Sequence, residues 1–348
     1  MQGAQYTMMH LAGYPRVRLG HFPTPLEPLP NLTRYLGGPS LYIKRDDCTG
    51  LATGGNKTRK LEFLVADALA QGADMLITQG AVQSNHVRQT IAAAARYGLQ
   101  CKVLLEDRHP QADEDYRESG NVMLDLLLGG DIAARLPAGT PMQQAMDELA
   151  AQMREQGNKP YVIPGGGSNP VGALGYVACA QELITQTFDL GLHVDALIHA
   201  TGSAGTQAGL VTGLAASNSG IPVIGVSVRA DRAAQEETVW ELTQATRDHL
   251  GLAQTSVRRE DIVVDDGYVG AGYGMASDGM VEAVRLVAEL EGILLDPVYS
   301  GKAMAGLIAQ IRAGRYTEDQ NIVFLHTGGA VALFAYRSVF NKAAVQAA

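Results

Sequence analysis

Cysteine is scarce: Cys48, Cys101 and Cys179 are the three in 348 residues, and they stand far apart. Their odd number and the lack of C-x-x-C spacing exclude a disulfide framework and a cysteine metal clamp, and they fit a reducing cytoplasm. Each is expected to be a small buried apolar residue, with Cys48 nearest the chemistry discussed below. No run of about 18 apolar residues occurs, which argues against a membrane-spanning helix. The opening MQGAQYTMMHLAGYP has no basic start followed by a long apolar run, so it does not read as a secretory signal. Positive charge is also short. Lys and Arg total 27 against 36 Asp and Glu, a net charge of -9, with no basic arm or stripe for nucleic acid. That surplus serves solubility. Missing as well are a G-x-G-x-x-G fingerprint, an internal repeat, a low-complexity linker and any cluster of ligands at metal spacing. The single tryptophan, Trp240, sits in a charged run that reads as exposed helix.

What is present is alternation. The apolar runs 75–79, 101–106, 159–164, 195–200, 221–228 and 321–327 read as strands. Helical patterns fall between them at 85–97, 141–156, 171–187 and 206–216. Strands and helices in this order predict an α/β fold with mostly parallel sheets, covered on both faces. The length suits two units. Residues 52–160 are expected to form a small domain, and 1–51 with 161–348 a large one, with their loops facing a shared cleft.

Glycine, with 40 residues, concentrates where strands lead into helices: TGGNK (53–57), QGAVQSNH (79–86), PGGGSNPVG (164–172), TGSAGTQAG (201–209) and HTGG (326–329). Backbone N–H groups in such a turn, helped by the helix dipole, can surround a phosphate. TGSAGTQAG follows an apolar strand and adds the hydroxyls of Ser203 and Thr206; the plain alternative is a turn with a threonine cap. In QSNH, the helix-start N–H groups and Ser84 suit a carboxylate, and Asn85 can hydrogen-bond a ring hydroxyl, although Ser and Asn are also ordinary caps. His86 reads equally well as a packed helix residue.

TGGNKTRKLEFL places Lys57, Arg59 and Lys60 in the first turn of a helix, whose apolar face is Leu61, Leu64, Val65, Ala68 and Leu69. Cations are disfavoured at a helix N-terminus, so the pKa of Lys57 is expected to fall, with Arg59 and Lys60 adding repulsion. A neutral amine attacks a carbonyl to form a Schiff base. An amine of that kind together with a phosphate cradle suits pyridoxal 5′-phosphate. The rival readings are a solvated lysine at a frayed end and a P-loop nucleotide site. In the latter, Asn56 interrupts the required G-K-[ST] and would rotate Lys57 by about 100° around the helix axis.

GGNKTRKLEF, QSNHVRQT, PYVIPGGGSNPVGALGY, TGSAGT, DPVYSGKAMAGL and HTGGAVALFAY together resemble the fold-type-II pyridoxal-phosphate enzymes. The group in question contains D-cysteine desulfhydrase and 1-aminocyclopropane-1-carboxylate (ACC) deaminase, and the resemblance runs from about Pro15 to Tyr336. It implies a tryptophan-synthase-β-like pair of three-layer sandwiches and a homodimer. Lys57 is then the lysine joined to the cofactor. Thr201, Gly202, Ser203, Ala204, Gly205 and Thr206 hold its phosphate, Asn85 meets the ring hydroxyl, and Asn56 and Thr327 complete the cofactor site. Ser84 faces the substrate with Gln83, Asn85 and His86. Tyr299 lies near the cofactor and either Tyr268 or Tyr273 near the substrate. Ser300 stands where ACC deaminases carry a glutamate for the pyridine nitrogen, which favours simple β-elimination over ring opening. Within the group the resemblance is to L-cysteate sulfo-lyases, giving pyruvate, sulfite and ammonia, with D-cysteine as the alternative substrate. Thr58 and Arg229 are expected to meet the sulfonate.

Overall fold

The computed structural model describes residues 9–109 and 112–345; residues 1–8, part of the stretch read above for a secretory pattern, lie outside the described residues. Among the described residues ten strands are formed: β1 Leu26–Pro28, β2 Ser40–Arg45, β3 Met75–Ala81, β4 Gln100–Asp107, β5 Asp131–Pro137, β6 Pro160–Val162, β7 Ala196–Thr201, β8 Val223–Ser227, β9 Val263–Asp265 and β10 Asn321–His326. They make a six-stranded sheet, β1-β2-β10-β7-β8-β9, and a four-stranded sheet, β5-β4-β3-β6. Among the described strand pairs, only β1 on β2 is antiparallel. Every residue of β7 and β8 is buried, as expected for parallel strands covered on both faces. The mixed α/β class with mostly parallel sheets is the one the sequence predicts.

The last strand, β10, lies between β2 and β7, with Leu325 opposite both Lys44 and His199. This brings the loop after β10 beside the loop after β7, on the edge of the sheet where ligands bind. The run 159–164 yields only a three-residue strand, because the chain turns at Gly165–Gly167 after Ile163 N–H bonds Ile77 O.

The helix Lys57–Ala70 buries Leu61, Leu64, Val65 and Ala68 against Leu76, Val87 and Leu105 of the small sheet's layer. Leu69 departs from the expected apolar face and is 37% exposed. On its other side this helix meets Pro170–Asp189 at Gly175, where a Cβ would lie 2.3 Å from the carbonyl oxygen of Arg59. The same long helix receives Gly205–Ala216 at Gly209, where a Cβ would lie 2.3 Å from Ala173 O. Glycine at both crossings allows backbone-to-backbone contact, so one helix sets the distance between Lys57 and the 201–206 loop.

Beneath these crossings lies a buried charge network. Arg59 Nε donates to Asp46 Oδ2 at 2.7 Å, and its Nη groups reach Glu182 at 2.9 and 3.0 Å. Tyr176 OH donates to the same Asp46 oxygen at 2.7 Å, and Lys44 pairs with Glu182. Two minor expectations change. Cys48 is exposed while Cys101 and Cys179 are buried. Trp240 is half-buried, packed beside the Tyr176–Val239 cluster, because the 232–249 helix lays one side on the helices Pro170–Asp189 and Gly205–Ala216.

Candidate active site

Lys57 opens its helix directly after Asn56, whose side chain supplies no cap, and no acidic residue follows in the first turn. Its Nζ has no hydrogen-bond partner among the described residues and lines two adjoining lobes of one cleft. Burial lowers its pKa to about 8, partly offset by the Asp296 carboxylate. The expected push from Arg59 is not the cause, since that guanidinium is neutralised by Asp46 and Glu182.

The inner lobe is lined by Asn56, Asn85, His86, Thr201–Ala204, Thr206, Tyr299 and Thr327. Asn56 Nδ2 donates to Thr206 Oγ1 at 3.1 Å, and Asn56 N–H to Thr327 O at 2.9 Å. Gly205 does not line it: its N–H is spent on Ser168 Oγ at 3.2 Å and Ser203 O at 3.0 Å. Ser168 Oγ also bonds Ser203 Oγ at 2.9 Å. Lys60, unassigned by the sequence reading, lies behind this turn and lines neither lobe; its Nζ donates to Gly166 O at 3.0 Å, and burial followed by the Lys57 charge pushes its pKa far down. Its spacing of three from Lys57, which puts both on one helix face, is the signal that could have found it.

Ser84 caps the helix Asn85–Arg96 by accepting from Val87 N–H at 3.2 Å, and it lines the outer lobe. Asn85 Oδ1 accepts from Arg88 and Asn121, which leaves Nδ2 unspent. Thr78 Oγ1 donates to Ile163 O and therefore accepts from His86 Nε2–H at 2.8 Å. His86 Nδ1 is thus a buried acceptor without a partner among the described residues, on a ring kept neutral by burial and by Lys57 and Lys60.

Tyr273 and Tyr299 join hydroxyl to hydroxyl at 2.6 Å in the outer lobe, and Arg108 lies 4.8 Å over the Tyr273 ring. Burial raises both phenol pKa values, so both are protonated at neutral pH. Of the two candidate tyrosines, Tyr273 therefore faces the cleft. Tyr268 packs over Gly306 on the large-sheet core instead. Arg229 is exposed at the rim of the outer lobe and has no ion pair among the described residues.

Three further expectations fail on geometry. Thr58 is fully buried with its hydroxyl between Gln89 Oε1 and Thr49 Oγ1, turned away from the cleft. Gln83 uses its amide on Tyr116 O, Ser119 O and Asn121 N–H. Ser300 is fully buried behind the site, exchanging hydrogen bonds with Asp296, whose carboxylate also takes the N–H groups of Val298, Tyr299 and Ser300. Thr327, not Ser300, borders the cavity, so Ser300 carries no argument about the ring nitrogen. The P-loop alternative fails as well: Gly55 N–H is held by Thr49 Oγ1 at 2.7 Å and Gly54 N–H by Leu51 O at 2.9 Å, which leaves no phosphate cradle there.

The donor set fits pyridoxal phosphate. An amine low in pKa stands opposite a hydroxyl-rich turn, and a Cβ on Gly205 would lie 2.8 Å from Lys60 Nζ. A Cβ on Gly329 would lie 2.5 Å from the unspent Asn85 Nδ2, so the space before that donor is kept open by glycine. Fold and site thus fit the class of α/β enzymes that work through an aldehyde cofactor. The chain matches the model of the pyridoxal-phosphate dependent enzymes over residues 17–328, and it belongs to that family. D-cysteine desulfhydrases of Salmonella paratyphi C and Salmonella typhi are each 50% identical over 327 residues, covering 94% of this chain and 98% of theirs. The crystal structure of an ACC deaminase homologue superposes with a TM-score of 0.84 at 37% identity, covering 95% of this chain and 97% of the other. A pyridoxal-phosphate-dependent aspartate racemase, at 18% identity and a TM-score of 0.64, shares the fold.

Proposed function

We propose that this enzyme is a carbon–sulfur lyase that converts D-cysteine and water to pyruvate, hydrogen sulfide and ammonia. The observation that carries the reading is the placement of the Lys57 amine, low in pKa, facing the paired hydroxyls of Tyr273 and Tyr299 across one cleft. The name shared by the relatives at 50% identity supports D-cysteine over L-cysteate.

Bound pyridoxal phosphate supplies an aldehyde for attachment and a conjugated ring that delocalises the electron pair left at Cα. The protein supplies the rest. Thr201–Ala204, Thr206 and Asn56 bind the phosphate, and Asn85 Nδ2 donates to the ring hydroxyl. Ser84 and the N–H groups beside it bind the substrate carboxylate. The Lys57 amine takes the Cα proton, for which a pKa of about 8 is suited. Burial keeps both phenols protonated at neutral pH, which rules them out as the Cα base but also makes them weak acids; placed across the cleft, the tyrosine pair hydrogen-bonds the departing sulfur and is the proton source nearest to it. Arg229, unpaired at the rim, supports L-cysteate as a second reading, since a sulfonate wants a cation.

Incubation with D-cysteine, L-cysteine, L-cysteate and ACC, scoring sulfide, sulfite, pyruvate and 2-oxobutyrate, separates these outcomes. Sulfide from D-cysteine, lost in Lys57→Ala, is expected. Sulfite from L-cysteate with no sulfide from D-cysteine would move the assignment to the second reading, and Arg229→Leu should then depress it selectively. The division into units 52–160 and 1–51 with 161–348, a homodimer and a cytoplasmic location belong to the same proposal. Light scattering on the purified protein tests the dimer.

A further inference from the structure

Arg88 is one of the largest fully buried side chains in the protein, yet it lies behind the site and touches neither lobe of the cleft. Its Nη1 donates to Asn85 Oδ1 at 2.9 Å and also to Asn121 Oδ1; its Nη2 donates to Gly54 O at 2.9 Å. Asn121 Nδ2 adds a second donor to Asn85 Oδ1 at 3.1 Å. Two donors on that oxygen decide which way the Asn85 amide faces. Turning it over would set its NH2 against a guanidinium and another NH2, with donors facing donors. The amide nitrogen is therefore committed to the cavity, toward the space kept free by Gly329.

The second arm reaches the turn that carries Lys57. Gly54 is held at φ +76, where a Cβ would lie 2.0 Å from Asp47 O, and it precedes Lys57 by three residues. A planar guanidinium fixes the directions of both arms at once, which a lysine ammonium cannot do. We infer that Arg88 is a positioning residue: it aims Asn85 Nδ2 at the cofactor's ring hydroxyl and locks that donor to the Lys57 turn as one rigid unit. This rests on the reading of Asn85 given above, and its test keeps the two apart.

The test uses the absorption spectrum of the holoenzyme as a function of pH, with pyridoxal phosphate affinity measured by fluorescence titration. Arg88→Gln, Asn85→Ala and the double variant are compared with the parent. Loss of one hydrogen bond to the ring hydroxyl is expected to move the spectral midpoint by about one pH unit and weaken cofactor binding about tenfold. Arg88→Gln is expected to reproduce both changes and to add nothing in the Asn85→Ala background. Arg88→Lys retains charge and is expected to shift the spectrum in the same direction; it stands in if the glutamine variant does not fold. Should Asn85→Ala shift the spectrum while the Arg88 variants leave it in place, the inference is overturned and the reading of Asn85 survives. Additive effects in the double variant overturn it too. Should Asn85→Ala itself leave spectrum and affinity unchanged, the reading of Asn85 fails first, and the inference with it.

Discussion

Replacing Gly175 by alanine tests how the fold sets the chemistry. The added methyl would meet Arg59 O at 2.3 Å, Arg59 C at 2.4 Å and Lys60 N at 2.7 Å, all of them backbone atoms. No side chain can swing aside to relieve this. Ordinary contact starts at 3.4 Å, so Lys57–Ala70 and Pro170–Asp189 must separate by about 1 Å at the crossing. Overpacking of this kind costs about 1–3 kcal/mol, enough to lower the melting temperature by several degrees. The catalytic loss should be larger. Lys57 and Lys60 ride on the displaced helix, whereas the 201–206 turn rides on the other neighbour of Pro170–Asp189. A misplacement of about 1 Å between reacting groups costs about 100-fold in rate. The assay is sulfide release per mole of bound cofactor, alongside a calorimetric melt. A variant that melts with the parent and turns over at the parental rate would show that the crossing does not set the lysine's position.

The Lys57 amine, with its pKa lowered to about 8 chiefly by burial, should capture pyridoxal phosphate faster as pH rises through about 8; a rate midpoint above pH 10 in the apoprotein would contradict this. Tyr273→Phe leaves the Tyr299 hydroxyl without its 2.6 Å partner, and kcat should fall about 100-fold with cofactor affinity intact; an unchanged kcat removes the tyrosine pair from proton delivery. Arg59→Met strands the buried Asp46 carboxylate beside Glu182 and should cost about 3–5 kcal/mol in denaturant unfolding at pH 7. Burial alone would raise the Asp46 pKa, but Arg59, with Lys44 and Tyr176 behind it, more than offsets this, so the folded value lies below the unfolded one. That stability is present above about pH 4 and drains away as pH falls through the folded value, and a parent no more acid-labile than the variant would be expected only if the pair contributes nothing.

Six strands were readable because each is an apolar run between turn residues. The other four lacked that signal for separate reasons. β1 and β9 have three residues each, and β5 is a half-exposed edge whose DIAARLP merely alternates. β2 hides its strand character behind Lys44 and Arg45, which the fold neutralises with Glu182, Glu27 and Asp47. Within the site, the glycine and hydroxyl turns were legible because local sequence makes them. Side-chain direction was not. Gln83 has partners that only the folded chain brings to it, at Tyr116, Ser119 and Asn121, and nothing local separates Tyr268 from Tyr273. Asp296 left a faint trace, as an acidic residue four before the first helical residue Ser300.

The cations of TGGNKTRKLEFL show why a helix start can carry them. Successive helical residues are about 100° apart, so Arg59 points about 200° from Lys57 while Lys60 returns to within about 60° of it. Arg59 accordingly enters the Asp46–Glu182 network on the far side, and its charge is cancelled there. Thr58, one step round, falls between Gln89 and Thr49 and has no view of the cleft. Lys57 and Lys60 share the remaining face, and burial costs both of them their protons more readily than in water. Two buried amines of lowered pKa follow from one turn of helix packed hard against its neighbour, with the one permanently charged side chain rotated out of the way.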